Sequence, residues 1–296
     1  MMTKNSNIKE TTLIIGNGFL GKEFVRHGYM HFTTSKTLRF TTPKELIDDD
    51  IPAPILFTSK LEHIIDNLEI NDNVKINTII NCIGKADTRY CENKHNFIND
   101  VLHINGFLPE LLSKFCRDRG IKFVQISTGC LYDQVGRGTV KETDLLAAHC
   151  KYVISKWVGE LGCDEKRDLI IRPRLYFSDV DCKLNLISKF KNFKTILNEF
   201  NSVTSTRTIV EAVTALLEAN QSGIFNVAND GAYTIKQLSE AIGYKWCDDQ
   251  VVKQEELHKS QGLFLVNNVM ELSKLKQFYT PRDAIEEIKW CAENLH

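Results

Sequence analysis

The amino-acid sequence predicts an α/β protein with a doubly wound parallel sheet and a smaller C-terminal lobe. Short apolar runs alternate with amphipathic stretches through the first half of the 296-residue chain. This order is typical of parallel strands joined by helices that cover both faces of a sheet. A glycine-rich turn follows the first apolar run, and the alternation loosens after Pro173, where we expect the second lobe to begin.

The elements of the first half follow from hydrophobic period and from glycine or proline breaks. Apolar runs rich in β-branched residues predict strands, and apolar residues at helical spacing predict helices. In chain order the predicted strands are TTLIIGNG, MHFTTS, PILF, NTIINCIG, IKFVQIST and DLIIRPRLYF. The predicted helices are FLGKEFVRHG, KYVISKWVGELG and, between them, the long HNFINDVLHINGFLPELLSKFCRDRG, which Gly120 ends.

The second half is predicted to be mainly helical. Its helices are LNLISKFKNFKTIL, RTIVEAVTALLEAN, TIKQLSEAIG and PRDAIEEIKWCAENL, and GIFNVAN is a strand. We expect residues 1–172 to form a nucleotide-binding domain and residues 173–296 to form the substrate-binding lobe. Segments at about 205–230 are expected to return to the first domain.

Composition excludes several classes of partner. The net charge is −1 and 25% of the residues are charged, which is typical of globular proteins and not of nucleic-acid or anionic-membrane binders. Apolar runs are far shorter than the ~20 residues of a membrane helix, and the N-terminus lacks an apolar signal core. The nine cysteines form no Cys-x-x-Cys pair. We therefore expect a cytoplasmic protein with no bound metal.

The glycine turn has the G-x-G-x-x-G spacing of a Rossmann-type dinucleotide site. It comprises Gly16, Asn17, Gly18, Phe19, Leu20 and Gly21, and it lies between a predicted strand and a predicted helix. The first glycine permits the tight turn, the second lets the backbone approach a pyrophosphate, and the third lets helix and strand pack closely. The unpaired N–H groups at the helix N-terminus favour the anion.

The type of cofactor follows from an absence in the sequence. An NAD site usually has an acidic residue ~20 positions after the glycines, for the ribose 2′-hydroxyl. No acidic residue lies between Glu23 and Glu45, whereas Ser35, Lys36 and Arg39 fall where the second strand should end. A 2′-phosphate prefers such donors. We therefore expect NADP(H), with surface charges of no special role as the alternative.

A tyrosine and a lysine are predicted to lie on one helical face. Tyr152 and Lys156 are four residues apart in KYVISK, and Ser127 and Thr128 end the strand before them. A nearby ammonium stabilises a phenolate and lowers the pKa of the phenol from its usual ~10. Ser127 or Thr128 can hold a substrate oxygen. The set suits proton transfer to an oxygen while a nicotinamide transfers hydride to carbon.

These motifs resemble the extended short-chain dehydrogenase/reductase superfamily. The stretches NCIGKAD, CENKHNFINDVLHING, ISTGCLYD, KETD and GIFNVAND resemble its dTDP-4-dehydrorhamnose reductase branch, whereas residues 40–73 match poorly. The resemblance implies that Thr128, Tyr152 and Lys156 are catalytic and that Asn105 supports the site. It further implies a nucleotide-sugar substrate and cofactor contacts by Tyr152, Lys156, Cys82, Ile83 and Gly84.

A closer resemblance is to the UDP-4-keto-6-deoxyglucose 3,5-epimerase/4-reductases of UDP-rhamnose synthesis. It rests on YCENK, STGCLYD, RPRLYF, NLISKF, NSVT and VNNVMELSKLK. In that family the cysteine and lysine of the stretches like YCENK and NLISKF serve as the epimerisation acid–base pair, which implies this role for Cys91 and Lys189. From the residues alone, the alternatives are an inert core or surface cysteine and a solvated helix lysine. The plain reductases lack a cysteine at the position of Cys91. This sequence departs from the family at Leu265, where the family has an arginine, so the nucleotide stays open.

Further residues follow from this interpretation. Arg174 and Asn185 are candidate substrate contacts, and Arg172 is either a further contact or a structural ion-pair partner. The chemistry requires Cys91 to lose a proton, which neighbouring cations favour. Lys85, Arg89 and Lys94 are close to Cys91 in the sequence, so we expect them to lower the pKa of its thiol.

Three functions stay open at this point. The first is an NADPH-dependent enzyme that epimerises C3 and C5 of a nucleotide-linked 4-keto-6-deoxyhexose and reduces C4, giving a nucleotide-linked L-rhamnose or related sugar. The second is a reductase only, of the dTDP-4-dehydrorhamnose type. That branch often uses a metal-assisted dimer, for which we see no acidic cluster, and a homodimer stays open. The third is an NADP-binding regulatory subunit without catalysis.

Overall fold

The computed structural model describes residues 11–32, 53–71, 75–132, 138–253 and 267–296. In the first part of the chain the elements are β1 (Thr12–Ile15), α1 (Phe19–Arg26), β2 (Met30–Phe32), α2 (Ala53–Asn71), β3 (Thr78–Asn81), α3 (Thr88–Glu92), α4 (Lys94–Asn96), α5 (Leu108–Arg119) and β4 (Lys122–Ile126). Two π-helical turns, Phe97–Val101 and His103–Phe107, join α4 to α5.

The second part of the chain consists of shorter elements. They are β5 (Thr139–Val140), α6 (Lys151–Leu161), β6 (Leu169–Pro173), β7 (Tyr176–Phe177), α7 (Leu186–Phe190), β8 (Ile196–Leu197), β9 (Phe200–Asn201), β10 (Thr204–Ser205), α8 (Thr206–Glu218), β11 (Gly223–Val227), β12 (Tyr233–Thr234), α9 (Ile235–Ala241), β13 (Val251–Val252), β14 (Val269–Met270), α10 (Ser273–Lys276) and α11 (Ala284–Glu293). Single 3₁₀ turns occupy Gly129–Leu131 and Asp248–Gln250.

The main sheet confirms the predicted Rossmann-type fold. Its six strands lie in the order β11-β6-β4-β3-β1-β2. The pairs formed by β1 with β2 and β3, and by β4 with β3 and β6, are all parallel. Every residue of β1 and β3 is buried, as expected for strands with helices on both faces. The order of winding reverses at β1, because β2 lies on one side of it and β3 and the later strands lie on the other.

Two predicted strands and one predicted helix differ in the structure. The PILF stretch belongs to the 19-residue helix α2, whose residues Leu61, Ile64, Ile65 and Leu68 face an apolar core at helical spacing. Four apolar residues alone do not distinguish a strand from a helix. DLIIRPRLYF divides into β6 and β7 around Leu175, which has a φ of +36°. The LNLISKFKNFKTIL stretch is helical only over α7, and its end forms β8.

The long helix of the first half ends where the sequence predicts. Gly120 has a φ of +69°, the left-handed conformation that glycine adopts without steric cost. Upstream of α5 the helix is not regular, because the two π-helical turns interrupt it. Such turns often occur at functional sites, and one of them contains Asn105.

The chain divides into two compact units that interleave in sequence. The first comprises Met1–Ser127, Cys150–Ile171 and Asn220–Ile224, and the second comprises Thr128–His149, Arg172–Ala219 and Phe225–His296. Residues 128–149, which we expected in the nucleotide-binding domain, group with the second unit. Residues 220–224 return to the first unit, within the expected range. The functional assignment of the two parts stays a prediction.

Each unit has its own apolar core. In the first unit, residues of β1, β3 and β4 pack with α2 and α5, and Ile15, Ile79 and Phe123 are fully buried. In the second, Phe177, Phe190 and Ile288 belong to a core formed by β7, α7, α9 and α11. None of the helices in the described parts of the chain is long and apolar enough to cross a membrane.

Candidate active site

The glycine turn lies between β1 and α1, as predicted. Gly16 has a φ of +117°, and a Cβ atom there would lie 2.9 Å from the backbone of Cys82 and Ile83. A Cβ atom on Gly21 would overlap the carbonyl oxygen of Gly16, whereas one on Gly18 would meet nothing within 4 Å. The turn therefore packs against the segment after β3 and leaves its middle glycine open.

This open glycine fits a dinucleotide pyrophosphate. Gly18 precedes the first turn of α1 and makes no side-chain capping bond, so the first N–H groups of α1 are available to an anion. The predicted contacts Asn17, Phe19 and Leu20 belong to the same turn. Ser35, Lys36 and Arg39 lie outside the described residues, so the choice of NADP(H) over NAD(H) stays a prediction.

The segment after β3 lies next to the predicted catalytic lysine. The side-chain oxygen of Asn81 accepts a hydrogen bond from the N–H of Ile83 at 3.0 Å, which fixes this turn. A Cβ atom on Gly84 would lie 3.1 Å from Nζ of Lys156 and 3.5 Å from Oδ1 of Asn105. The structure thus brings Gly84, Asn105 and Lys156 together, as the resemblance implied.

Lys156 is a buried ammonium. Its exposed fraction is 7%, and its Nζ donates a hydrogen bond to the carbonyl oxygen of Ile126 at 3.1 Å. Burial lowers the pKa of Lys156 to about 8, although Glu160, Cys82 and Cys91 favour the charged form. Tyr152 lies one turn earlier in α6 and is half-buried. The pair has the arrangement in which a cation can stabilise a phenolate.

Asn105 connects the segment after β3 to the helix α6. Its Oδ1 accepts a hydrogen bond from the N–H of Lys85 at 2.8 Å, and its Nδ2 donates to the carbonyl oxygen of Lys85 at 2.9 Å. Nδ2 also donates to Oγ of Ser155 at 3.0 Å, and this hydroxyl donates to the carbonyl oxygen of Tyr152 at 2.7 Å. Asn105 is therefore connected through Ser155 to the backbone of Tyr152.

The environment of Cys91 opposes the expected lowering of its pKa, and its catalytic role stays a prediction. Cys91 is fully buried, and burial, together with Asp87, Cys150 and Glu92, raises the pKa of its thiol to about 12. Lys85 does not offset this, because its ammonium pairs with Asp100 at 2.9 Å. The Sγ atom of Cys91 points at the carbonyl oxygen of Lys85, 3.7 Å away. Lys156 acts in the opposite direction, but burial has the larger effect on the pKa of Cys91.

In the second unit, Thr128 begins the 3₁₀ turn after β4. Its Oγ1 accepts a hydrogen bond from the N–H of Cys130 at 3.2 Å. Ser127, the last residue of the first unit, has a buried hydroxyl with no hydrogen-bond partner among the described residues. An unsatisfied buried hydroxyl costs free energy unless a ligand engages it, which fits the predicted contact between Ser127 and a substrate oxygen.

A second thiol, which sequence reasoning did not select, lies beside Thr128. Cys130 is half-buried, and its Sγ accepts a hydrogen bond from Nη1 of Arg174 at 3.0 Å. Arg174 also donates to Asn201 at 3.0 Å and to Asn268 at 3.3 Å, so its guanidinium is held in place. The sequence could have indicated Cys130, because it lies two residues after the predicted catalytic residue Thr128.

The other predicted substrate contacts have structural partners. Arg172 donates to the hydroxyl of Tyr132 at 2.9 Å and lies over its ring, which favours the structural alternative. Asn185 is fully buried, and its amide bonds to backbone groups of Ser178, Val180 and Ile187. It caps α7, so its contact with substrate stays a prediction. Lys189 is exposed in that helix.

No group of three or more His, Cys, Asp or Glu side chains in the described part of the chain could hold a metal ion. The first unit contains the glycine turn, Asn105, Tyr152 and Lys156. The second contains Thr128, Cys130, Arg174 and Lys189. The parallel sheet, the glycine turn and the helix that carries Tyr152 and Lys156 define the class as the extended short-chain dehydrogenase/reductase fold.

Comparison with known proteins identifies the family. The chain belongs to the RmlD substrate binding domain family, whose model matches residues 14–260. Among curated proteins it is similar to the probable low-salt glycan biosynthesis reductase Agl14 of Haloferax volcanii, with 26% identity over 244 residues and 76% of each chain covered.

Two solved structures share the fold at low sequence identity. The L780 UDP-rhamnose synthase of Acanthamoeba polyphaga mimivirus superimposes with a TM-score of 0.75 and 17% identity, covering 96% of this chain and 98% of the other. A dTDP-4-dehydrorhamnose reductase of Bacillus anthracis in complex with NADP gives a TM-score of 0.72 and 17% identity, covering 94% and 97% of the two chains.

Proposed function

We propose that this protein is an NADPH-dependent oxidoreductase that reduces the 4-keto group of a nucleotide-linked 4-keto-6-deoxyhexose. The observation that carries the proposal is the buried Lys156 one helical turn after Tyr152, with a pKa lowered to about 8. Membership of the RmlD family supports it, as do the reductases among its relatives. In this proposal the first unit binds the cofactor and the second binds the sugar nucleotide.

The residues of the chain have defined roles in this reaction. The cofactor supplies the hydride that reaches C4 of the sugar. Tyr152 donates its phenolic proton to O4, so that the ketone becomes an alcohol. Lys156 stabilises the phenolate that remains, because its ammonium carries the opposite charge. Thr128 and Ser127 hold O4 through their hydroxyls, and solvent returns the proton to Tyr152 after turnover.

The test is reduction of UDP- or dTDP-linked 4-keto-6-deoxy sugars, followed by NADPH absorbance. Tyr152→Phe should lower kcat by about 10²- to 10⁴-fold, the usual contribution of a general acid. Tyr244→Phe, which alters a tyrosine of the other unit, should leave kcat unchanged. Turnover by Tyr152→Phe at the wild-type rate would contradict the role of Tyr152 as the general acid. NADPH binding without turnover of any keto sugar would favour a regulatory subunit instead.

The cofactor choice has its own test. We propose NADP(H) because Ser35, Lys36 and Arg39 provide donors for a 2′-phosphate. The double variant Lys36→Ala/Arg39→Ala should weaken NADPH binding by tenfold or more and leave NADH binding within about twofold, since each charge-assisted hydrogen bond contributes ~1.5–3 kcal/mol. Equal losses for both cofactors, measured by fluorescence titration, would contradict this choice.

A second activity, 3,5-epimerisation, is proposed from the environment of the thiols. The C4 ketone acidifies the protons at C3 and C5, and inversion needs a base and an acid on opposite faces of the ring. Cys91 is the first candidate for one of these roles, although burial raises the pKa of its thiol to about 12 and so opposes its action as a base. Cys130 is the second candidate, because its Sγ accepts a hydrogen bond from Arg174 and it lies two residues after Thr128. Lys189 is the proposed partner.

Deuterium exchange separates the two thiols. The wild type in deuterated water without NADPH should introduce deuterium at C3 and C5 of the keto sugar, as followed by NMR. Lys189→Met and the serine variant of the reacting thiol, Cys91 or Cys130, should abolish this exchange but retain reduction of a pre-epimerised substrate. Cys247→Ser, at an exposed cysteine, is the control. If only Cys91→Ser loses exchange, Cys91 and not Cys130 is the thiol of the epimerase reaction. If the wild type shows no exchange, the protein is a reductase without epimerase activity.

A further inference from the structure

The segment that contains Cys91 contacts the start of the helix that carries Tyr152. Glu92, the last residue of α3, accepts a hydrogen bond at Oε1 from the backbone N–H of Lys151 at 2.8 Å. The two residues are 59 positions apart in the sequence. Nζ of Lys151 in turn donates to the carbonyl oxygen of Glu92. These two contacts join α3 to the first residue of α6, directly before Tyr152.

The contact with Glu92 replaces a missing local cap. The first N–H groups of a helix have no partner within the helix, and a side chain at the N-cap position usually accepts from one of them. In α6 the N-cap residue is Cys150, whose side chain makes no capping hydrogen bond. The carboxylate of Glu92 takes this role from another part of the chain, and its charge suits the positive end of the helix dipole.

The segment that presents Glu92 is itself fixed. The Asp87 side chain caps α3 by accepting from the N–H of Tyr90 at 3.2 Å, and the hydroxyl of Tyr90 donates to Asp100 at 2.7 Å. Asn93 caps the following helix α4 through the N–H groups of His95 and Asn96. These bonds fix the backbone that presents the exposed side chain of Glu92, and the carboxylate meets the N–H of Lys151 at the start of α6.

A second set of bonds holds the same turn from its other side. Ser155 receives the amide of Asn105 and donates to the carbonyl oxygen of Tyr152. The backbone on both sides of Tyr152 is therefore tied to the segment 85–105, by Glu92 through the N–H of Lys151 and by Asn105 through Ser155. Tyr152 must place its phenol within hydrogen-bond reach of a substrate oxygen, and a misplacement of about 1 Å can cost about 10² in rate.

We propose that Glu92 is a positioning residue, which fixes the first turn of α6 and thereby the phenol of Tyr152. This inference rests on the proposed reductase function, because it concerns the placement of the general acid. It also gives the YCENK stretch a role that does not depend on the reactivity of Cys91.

Two substitutions of Glu92 distinguish the loss of its hydrogen bond to Lys151 from the loss of its carboxylate charge. Glu92→Ala removes the acceptor, whereas Glu92→Gln keeps an oxygen that can accept from the N–H of Lys151. Lys151→Pro removes the N–H donor at the first helical position, where proline is well tolerated. The extended backbone of Cys150, with φ −155° and ψ 166°, suits the residue before a proline. Glu165→Gln, at an exposed carboxylate of the same unit, is the matched control.

The expected result is a change in kcat without a change in cofactor affinity. Glu92→Ala should lower kcat for keto-sugar reduction by about tenfold and leave the Kd of NADPH within twofold. Glu92→Gln should restore kcat to within about threefold of the wild type, since the hydrogen bond is retained. In the Lys151→Pro background, Glu92→Ala should have no further effect on kcat, because both changes remove the same bond.

Hydrogen exchange provides a readout that does not need turnover. The amides of residues 151–155 should exchange faster in Glu92→Ala than in the wild type or in Glu165→Gln. Wild-type kcat and unchanged amide protection in Glu92→Ala would overturn the proposal, as would fully multiplicative losses in the double variant. If the wild type reduces no keto sugar, the proposed function fails; unchanged amide protection then overturns the role of Glu92, and faster exchange supports its hold on the helix.

Discussion

Nζ of Lys156 donates a hydrogen bond to the carbonyl oxygen of Ile126, 3.1 Å away, and the lysine side chain is buried within the first unit. The bond places the ammonium below the end of β4, between α6 and the sheet. A buried ammonium is more costly than a buried amine, since burial penalises the charged form. The charged form of Lys156 can stabilise an anion, but its burial costs free energy.

The stability of the protein should rise with pH between about 8 and 10.5 through Lys156. Its pKa is about 8 in the folded protein, against an ordinary value of 10.5. Within this range the unfolded chain binds the proton and the folded chain does not, so raising the pH favours folding. The full shift corresponds to about 3 kcal/mol as an upper value. Urea unfolding at a series of pH values measures it.

The control for this prediction is Lys156→Met, which lacks the titrating group. The difference in unfolding free energy between wild type and variant should increase over this range, because other groups that titrate there cancel. Below pH 8 the difference should be constant. A difference that stays flat up to pH 10.5 would contradict the burial of a charged Lys156.

Two glycines of the same turn should respond differently to alanine. Gly18 has a φ of −85° and open space around its Cβ position, so Gly18→Ala should fold with wild-type stability but bind NADPH at least tenfold more weakly. Gly21→Ala should lose about 1–3 kcal/mol of stability, because the new methyl group overlaps the carbonyl oxygen of Gly16. Denaturant unfolding and NADPH fluorescence titration distinguish them.

Normal NADPH affinity in Gly18→Ala would show that the pyrophosphate lies elsewhere. Wild-type stability in Gly21→Ala would show that α1 can move away from β1. Each outcome concerns one glycine only, so the two variants test the cofactor site and the packing of the turn separately.

The sequence predicted those parts of the fold and site that depend on residues close together in the chain. The glycine turn and the pair Tyr152 and Lys156 each lie within ten residues, and hydrophobic period placed them correctly after β1 and on a helix. The PILF stretch failed because four apolar residues fit a strand and a helix equally well. Leu61 and Ile65 continue the apolar pattern at helical spacing, and this longer pattern would have predicted a helix.

Relationships between distant segments were beyond the reach of the sequence. The bond from Lys151 to Glu92 spans 59 residues, and no period or spacing specifies such a pair. The pKa of Cys91 is subject to the same limit. Lys85 is near Cys91 in the sequence, but its charge is engaged by Asp100, and burial then decides the pKa of the thiol. Neighbours in space, not in sequence, set a pKa.

Asn105→Ala should destabilise the protein by about 1–3 kcal/mol, because it removes a buried amide and leaves the half-buried N–H and carbonyl groups of Lys85 without their partner. Asn99→Ala is a matched control. Asn99 lies in the same helical segment and is half-buried, and its side chain bonds only to the exposed His95 among the contacts described, so its loss should stay within about 1 kcal/mol. Similar unfolding midpoints for the two variants would contradict the bridging role of Asn105.

The second unit contains an ion pair that should dominate its stability. Glu287 is buried, and both its carboxylate oxygens accept from Arg207, at 2.9 and 2.5 Å. Oε1 also accepts from the hydroxyl of Ser205 at 2.9 Å, and the guanidinium lies 3.9 Å from the centre of the Trp290 ring. The pair therefore connects the start of α8 to α11.

Removing Glu287 leaves the half-buried guanidinium of Arg207 and the buried hydroxyl of Ser205 without this acceptor. Glu287→Ala should consequently cost about 1.5–3 kcal/mol of unfolding free energy, the usual range for hydrogen bonds to a charged group. Glu286→Ala, at the neighbouring residue, should cost less than about 0.5 kcal/mol, since surface substitutions rarely exceed that value. Denaturant unfolding with fluorescence detection measures both. Equal midpoints in the two variants would mean that solvent enters and replaces the ion pair, and that α11 packs on α8 through its apolar face alone.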